Sequence, residues 1–271
     1  MAKLGPKGLS GSIGNVTYKQ TKGGTTAGKK AEKIKQTKET KKLSTVFGAV
    51  SNFCGNLRYA MGNISDYTDP DMVGRVTKEV GSVFRHAYDK KTEKYYFEAS
   101  DFNRLTGLEL NINSPLKDSL WIPPTVELAP DNKLTVKLPA LRIPHHLSFL
   151  KDATECQLKV EVFVINLADG YIRDAQLQTV EIQATQKMLP AQEWSFEVAE
   201  GCVCVVGVGL SYYRLNGLYK EMLHFLDHNP AQIVGAVFTP GTFVLPINPD
   251  KHRSKMTWHY GARPVKVGMV E

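Results

Sequence analysis

The sequence predicts an α+β protein: an extended basic N-terminal arm and two helices, followed by an antiparallel immunoglobulin-like β-sandwich. Three observations predict it. Lysines are concentrated in the first 42 residues, apolar positions between 43 and about 88 repeat with helical spacing, and beyond Pro124 they repeat every second residue. A helical stretch followed by short alternating segments, rather than strands interleaved with helices, is the pattern of an antiparallel sheet with segregated helices. The expected organisation is an arm over 1–42, a helical and mixed domain over 43–120, a sandwich over 121–240 and an extended tail over 241–271, with a boundary near Trp121.

The arm holds eleven lysines against two acids, Glu32 and Glu39, a net +9. The whole 271-residue chain carries +7, so the remaining residues sum to about −2. Lys29, Lys30, Lys33, Lys35, Lys38, Lys41 and Lys42 form its most basic tract. Few large apolar side chains accompany them, so the arm has little surface to bury by itself. Gly5, Gly8, Gly11 and Gly14 fall at every third residue, too few triplets for a collagen helix, and read as a loop. Asn15, Val16, Thr17, Tyr18, Lys19 and Gln20 read as a short strand, with a Gly23-Gly24 turn and a second strand at 25–27. Two such strands are marginal alone and need a sheet edge from elsewhere.

The pattern Gly11-x-x-Gly14-Asn15-Val16-x-Tyr18, followed by the Gly-Gly turn and lysine-rich tract, resembles the N-terminal signature of a family of uncharacterised proteins found mainly in Bacteroidota and their mobile elements. The resemblance covers about residues 5–50, with vaguer similarity at 108–116, and the tract 36–42 departs from it. It implies a helix and a β-rich, immunoglobulin-like remainder, and no known activity.

Leu43, Val46, Phe47, Val50, Phe53, Cys54, Leu57, Met61 and Ile64 make one apolar helical stripe. Gly48, Gly55 and Gly62 lie on one side of that helix, where another backbone would fit closely. A second helix is expected over 69–88, with Pro70 in its first turn and the stripe Met72, Val73, Val76, Val80, Val83, Phe84 and Ala87. Segments 95–97 and 105–112 read as strands, then a hairpin at 126–138 turning at Asp131-Asn132. Long strands are expected at 157–167 and 171–182, joined at Asp169-Gly170. Strands follow at 194–198 and 202–214, the latter apolar on both faces and therefore central. Residues 219–227 suggest a short helix, 233–238 a last strand, and Val265, Lys266 and Val267 an edge strand in a proline-punctuated tail.

Patterns that would carry chemistry are sparse. His224 and His228 have metal-compatible helical spacing, but no metalloprotease glutamate accompanies them and Leu223, Phe225 and Leu226 mark a packing segment. His145, His146, His252 and His259 read as loop residues. Gly207-Val208-Gly209 lacks the third glycine and following helix of a nucleotide fingerprint. Asp66, Asp69 and Asp71 precede the second helix, where its dipole favours negative charge. Cys54, Cys156, Cys202 and Cys204 read as buried thiols of a reducing compartment. No catalytic residue, metal or cofactor is expected. The longest apolar run, 202–210, is far short of the ~20 residues of a membrane helix, and no secretory signal follows the first lysines. A cytoplasmic protein, or one inside a particle assembled there, is expected.

The sequence therefore favours a non-enzymatic structural protein, a subunit of a homopolymeric or phage-like assembly. Its partner is itself, with 15–19 and 265–267 as docking strands. The alternative is a nucleic-acid-binding protein that uses the lysine-rich arm. Against it, the arm has no arginine and only Tyr18 as an aromatic. An adhesion module would rest on the fold alone.

Overall fold

The computed structural model of the chain describes residues 3–6, 8–30, 37–223, 226–246, 258–261 and 263–269. It comprises two compact units, Met1–Ser44 and Thr45–Glu271. The first contains a four-stranded antiparallel meander: β1 (Lys3–Gly5), β2 (Gly8–Ile13), β3 (Val16–Thr21) and β4 (Gly24–Lys29), paired in that order. Two-residue loops close the last two hairpins, Gly14-Asn15 between Ile13 and Val16, and Lys22-Gly23 between Thr21 and Gly24. The glycine-spaced stretch expected to be a loop is thus strand on both sides of Pro6. Gly8 and Gly11 take φ of +111° and +107° inside β2, a backbone state that side chains resist, so the glycines bend a strand.

Helix α1 (Lys38–Met61) starts in the lysine tract, where Thr37 Oγ1 accepts from the Thr40 backbone N–H at 3.1 Å. From Val46 onward its stripe is buried as the spacing predicts, but Leu43 and Phe47 are exposed. Helix α2 (Met72–Ala87) buries Met72, Val76, Val80, Val83, Phe84 and Ala87, with Val73 left exposed. Of the three predicted acids, Asp69 does the local work. It is buried, accepts from Arg75 Nη1 and Nη2 at 2.7 and 2.6 Å, and also from the backbone N–H groups of Asp71 and Ile112. The start of α2 is thereby fastened to the segment beyond residue 109.

Short strands follow: β5 (Tyr88–Asp89) with β6 (Lys94–Tyr95), then β7 (Leu108–Glu109), helix α3 (Leu116–Ser119), β8 (Thr125–Leu128), β9 (Lys133–Leu138) and β10 (Leu141–Arg142). The remainder is β11 (Glu155–Asn166), β12 (Tyr171–Arg173), β13 (Gln176–Gln183), β14 (Met188–Leu189), β15 (Gln192–Glu197), β16 (Cys202–Asn216), β17 (Tyr219–Met222), β18 (Ala231–Phe238) and β19 (Trp258–Tyr260). The main sheet runs β19-β12-β11-β16-β18-β7, with β13 continuing beside β11 and β17 beside β16. The expected strand 171–182 is therefore two, and the helix expected over 219–227 begins instead as β17. Gly217 at φ +62° opens a tight Gly217-Leu218 turn that folds β17 back onto β16.

Both faces of this sheet are covered. On one, Phe163, Ile165, Val203, Val205 and Ile233 share a core with α1, α2 and the rings of Phe53, Phe84, Phe97 and Phe102. On the other, Leu158, Val160, Val162, Val206, Val208 and Leu210 share a core with Leu134, Val136 and Phe196 of a second sheet, ordered β15-β9-β8. The arrangement is α+β with several antiparallel sheets. Trp121, where a domain boundary was expected, lies inside the second unit, because helices and small sheet bury opposite faces of the same strands. Gly207 and Gly209 serve this packing. A Cβ on Gly209 would stand 2.0 Å from the Ile64 carbonyl oxygen, and one on Gly207 would stand 2.4 Å from Ile64 Cδ1. All four cysteines are free and buried, and burial pushes the Cys54 thiol up to about 11.

Beyond Ile64 the helix-side face turns polar. Glu161 is fully buried, and its Oε1 accepts from Asn63 Nδ2 at 3.0 Å while Oε2 has no partner among the described residues. Burial pushes this carboxyl up to about 7, against the Asn63 bond. A raised acid pKa stabilises the fold below about 4.5 and loses that contribution as pH rises to 7. Glu161→Gln should therefore raise Tm at pH 8, by on the order of 2–3 kcal/mol of stability, with little change at pH 4.5; thermal melts across this range check it. Asp69 has the opposite sign, because the Arg75 guanidinium holds its carboxyl down at about 2. Asp69→Asn should cost on the order of 3 kcal/mol at pH 7, and the gap to the parent protein should narrow as pH falls from 4 toward 2 in denaturant titrations.

Candidate functional site

Among the described residues, no group of three His, Cys, Asp or Glu side chains is placed to hold a metal ion. His259 Nδ1 lies 3.2 Å from Asp174, and His146 Nδ1 accepts from the Arg142 backbone N–H; His224 and His252 fall outside the described residues. A groove of about 660 Å³ is bordered by Asp131, Lys133, Glu197 and Glu200. No described helix is long and apolar enough to cross a membrane. Among the described residues, strand edges and exposed apolar side chains are the features with unused binding capacity.

The first unit is the clearest. None of the described residues of its four strands is buried. Register places Ile13, Val16, Tyr18 and Ala27 on one side of the sheet, and Leu4 and Ile13 are 82% and 55% exposed. The expected docking strand sits differently from its expectation. Asn15 is in the β2–β3 turn, where its carbonyl accepts from Lys30 at 2.6 Å, and Val16, Thr17, Tyr18 and Lys19 belong to β3. Strand β3 is paired on both sides, by β2 and β4, so its backbone groups are already used. The outer strands of this sheet are β1 and β4, and all six residues of β4 are exposed.

The tail also departs from expectation. Val265 and Val267 are buried in the helix-side core, and the segment is not a sheet strand. The Val267 N–H donates to Leu167 O at 3.0 Å, and the Tyr95 N–H to Gly268 O at 2.7 Å. From α1, Asn52 and Asn56 donate side-chain amides to the carbonyls of Pro264 and Arg263. A Cβ on Gly55 would touch Arg263 Cδ at 3.3 Å, so this helix glycine makes room for the Arg263 side chain rather than for another backbone. Lys266 points away, its ammonium 5.2 Å from the Tyr260 ring centroid. The period-two pattern that suggested an edge strand thus reflects two valines closing the chain's own core.

Of the basic residues, Lys29 ends β4 and Lys30 follows it; with Thr17, Lys19, Thr26 and Gly28 they border a groove of about 450 Å³. Lys38, Lys41 and Lys42 fall within the span of α1. Lys33 and Lys35 lie outside the described residues. Sequence reasoning missed β13 as an edge: among the described residues it pairs with β11 alone. Its signal was an eight-residue run, Gln176–Gln183, with the single charge Glu181 and no proline.

No family model, no curated protein and no solved structure matches this chain. The placement of the tail makes a direct prediction. Val265→Ala should cost roughly 2 kcal/mol of stability and lower Tm in calorimetry, while leaving the oligomeric state of the folded protein unchanged.

Proposed function

We propose that this chain is a non-enzymatic structural protein, a subunit that assembles with copies of itself into a homopolymer or phage-like particle through its N-terminal sheet. The observation that supports this reading best is that sheet: four strands with no buried residue among those described, an uncovered apolar side and open outer strands. A lone sheet of this kind gains little from burial, and open edges gain from pairing with a neighbour. In this reading residues 1–42 are an arm that reaches another subunit, and the antiparallel layers of 121–240 are an immunoglobulin-like sandwich serving as the body. The likeness of the Gly11 to Tyr18 stretch to the Bacteroidota family belongs to the same reading. The tail, held in the body's own core, has no docking role in it.

A second reading, nucleic-acid binding, is supported by Lys19, Lys29 and Lys30 around the groove on β3 and β4. The two readings separate in one experiment. Sedimentation velocity of the full chain should show large species that grow with concentration. The double variant Ile13→Asp, Val16→Asp, which alters exposed side chains only, should sediment as a folded monomer. A parent protein that is monomeric at every concentration, and is retained by DNA at low salt with steep loss on salt addition, would reverse the ranking.

A further inference from the structure

If subunits connect through the N-terminal sheet, a neighbour must offer an edge. Among the described open edges of the second unit, β13 is the longest, at eight residues, and the least protected. Strand edges are normally blunted by charge, proline or brevity. The outer strand β15 carries Glu193 and Glu197 and follows Pro190, β8 lies between Pro124 and Pro130, and β17 places Lys220 and Glu221 within four residues. β13 has only Glu181, and it exposes Leu177, Gln178 and Thr179 in succession.

We infer that the edge of β13 accepts strand β4 of a second copy of this chain; this assignment rests on the self-assembly reading above. The two edges match in kind. β4 offers five exposed residues with small side chains, Gly24, Thr25, Thr26, Ala27 and Gly28, before its only charge at Lys29. Small residues let the incoming backbone reach the 4.7–4.9 Å spacing of a sheet without clashing with the half-buried Val180. Net charge is complementary in sign, since the donor unit carries +9 while the body sums to about −2, although Glu181 on the accepting strand is itself paired with Lys220 at 3.1 Å. Main-chain hydrogen bonds supply the attraction, and six residues of β4 fit within the eight of β13. Because donor and acceptor edges are different surfaces, the contact is head-to-tail and propagates into a ring or an open filament.

The test uses full-length chains. Thr26→Cys is made in one and Thr179→Cys in another, both at exposed positions; the four native thiols are buried and provide a quiet background. A short flexible bis-maleimide added to an equimolar mixture should link the two variants, with about tenfold more dimer than either variant gives alone. Ser195→Cys on β15 in place of Thr179→Cys should show no such excess. Separately, Thr179→Lys should weaken self-association about tenfold with an unchanged Tm. If the parent protein assembles in sedimentation but the mixture shows no excess linkage, the edge assignment is overturned and self-assembly stands. If the parent protein is monomeric throughout, both fall together. Linkage confined to a single chain carrying both substitutions, even at high dilution, would also overturn the assignment.

Discussion

The body of this protein depends on one pairing, β11 with β16, which runs through twelve consecutive residue partners from Glu155 with Tyr213 to Asn166 with Cys202. Strands that long and that apolar gain stability only if neither face meets water. One face is covered by α1 and α2 and the other by the three-stranded sheet of β8, β9 and β15. Remaining details of the second unit follow from this need. Gly207 and Gly209 let the end of α1 settle on β16, Asp69 and Arg75 hold α2 to the chain near Glu109, and Val265 and Val267 fill the space between α1 and Leu167.

The same sheet ends in a polar patch where helical cover gives out. Lys220 bonds Glu155 and Glu181 and stands 4.5 Å from the Tyr213 ring centroid, while Gln183 donates to Glu155 at 2.8 Å. Those charges satisfy one another across neighbouring strands. Glu161, closer to α1, is fully buried with Asn63 as its hydrogen-bond partner among the described residues, and burial is why its carboxyl resists ionisation. The patch is thus cheap to bury where opposite charges are paired and costly where a single carboxylate faces one amide.

The N-terminal unit follows different physics. Its strands are short, glycine-rich and paired by local turns, so they form without a core, and they leave apolar side chains in solvent. The open edges of such a unit gain from pairing with a neighbour, which is the basis for the proposal that it is a connector. The body, by contrast, contains its own covers, including a tail that resembles a free strand only when its neighbours are unknown.

The sequence by itself determined what periodicity and charge can encode locally. The two helical stripes, the hairpin turning at Asp131-Asn132, the central two-sided strand at 202–214 and the concentration of lysine at one end were all legible, because each follows from spacing within a few residues. Tertiary structure alone decided which surfaces are spent. Val265 and Val267 alternate like an edge strand, yet distant partners at Leu167 and in α1 bury them. Residues 16–19 form a strand as their composition suggests, with Asn15 in the turn before it, but pairing with both β2 and β4 removes their edge. The open edge of β13 left only a weak signal, a run with one charge and no proline, since no local pattern records whether a strand has one neighbour or two. Backbone hydrogen bonds in a sheet are made between segments far apart in the chain, and side-chain periodicity carries no information about them.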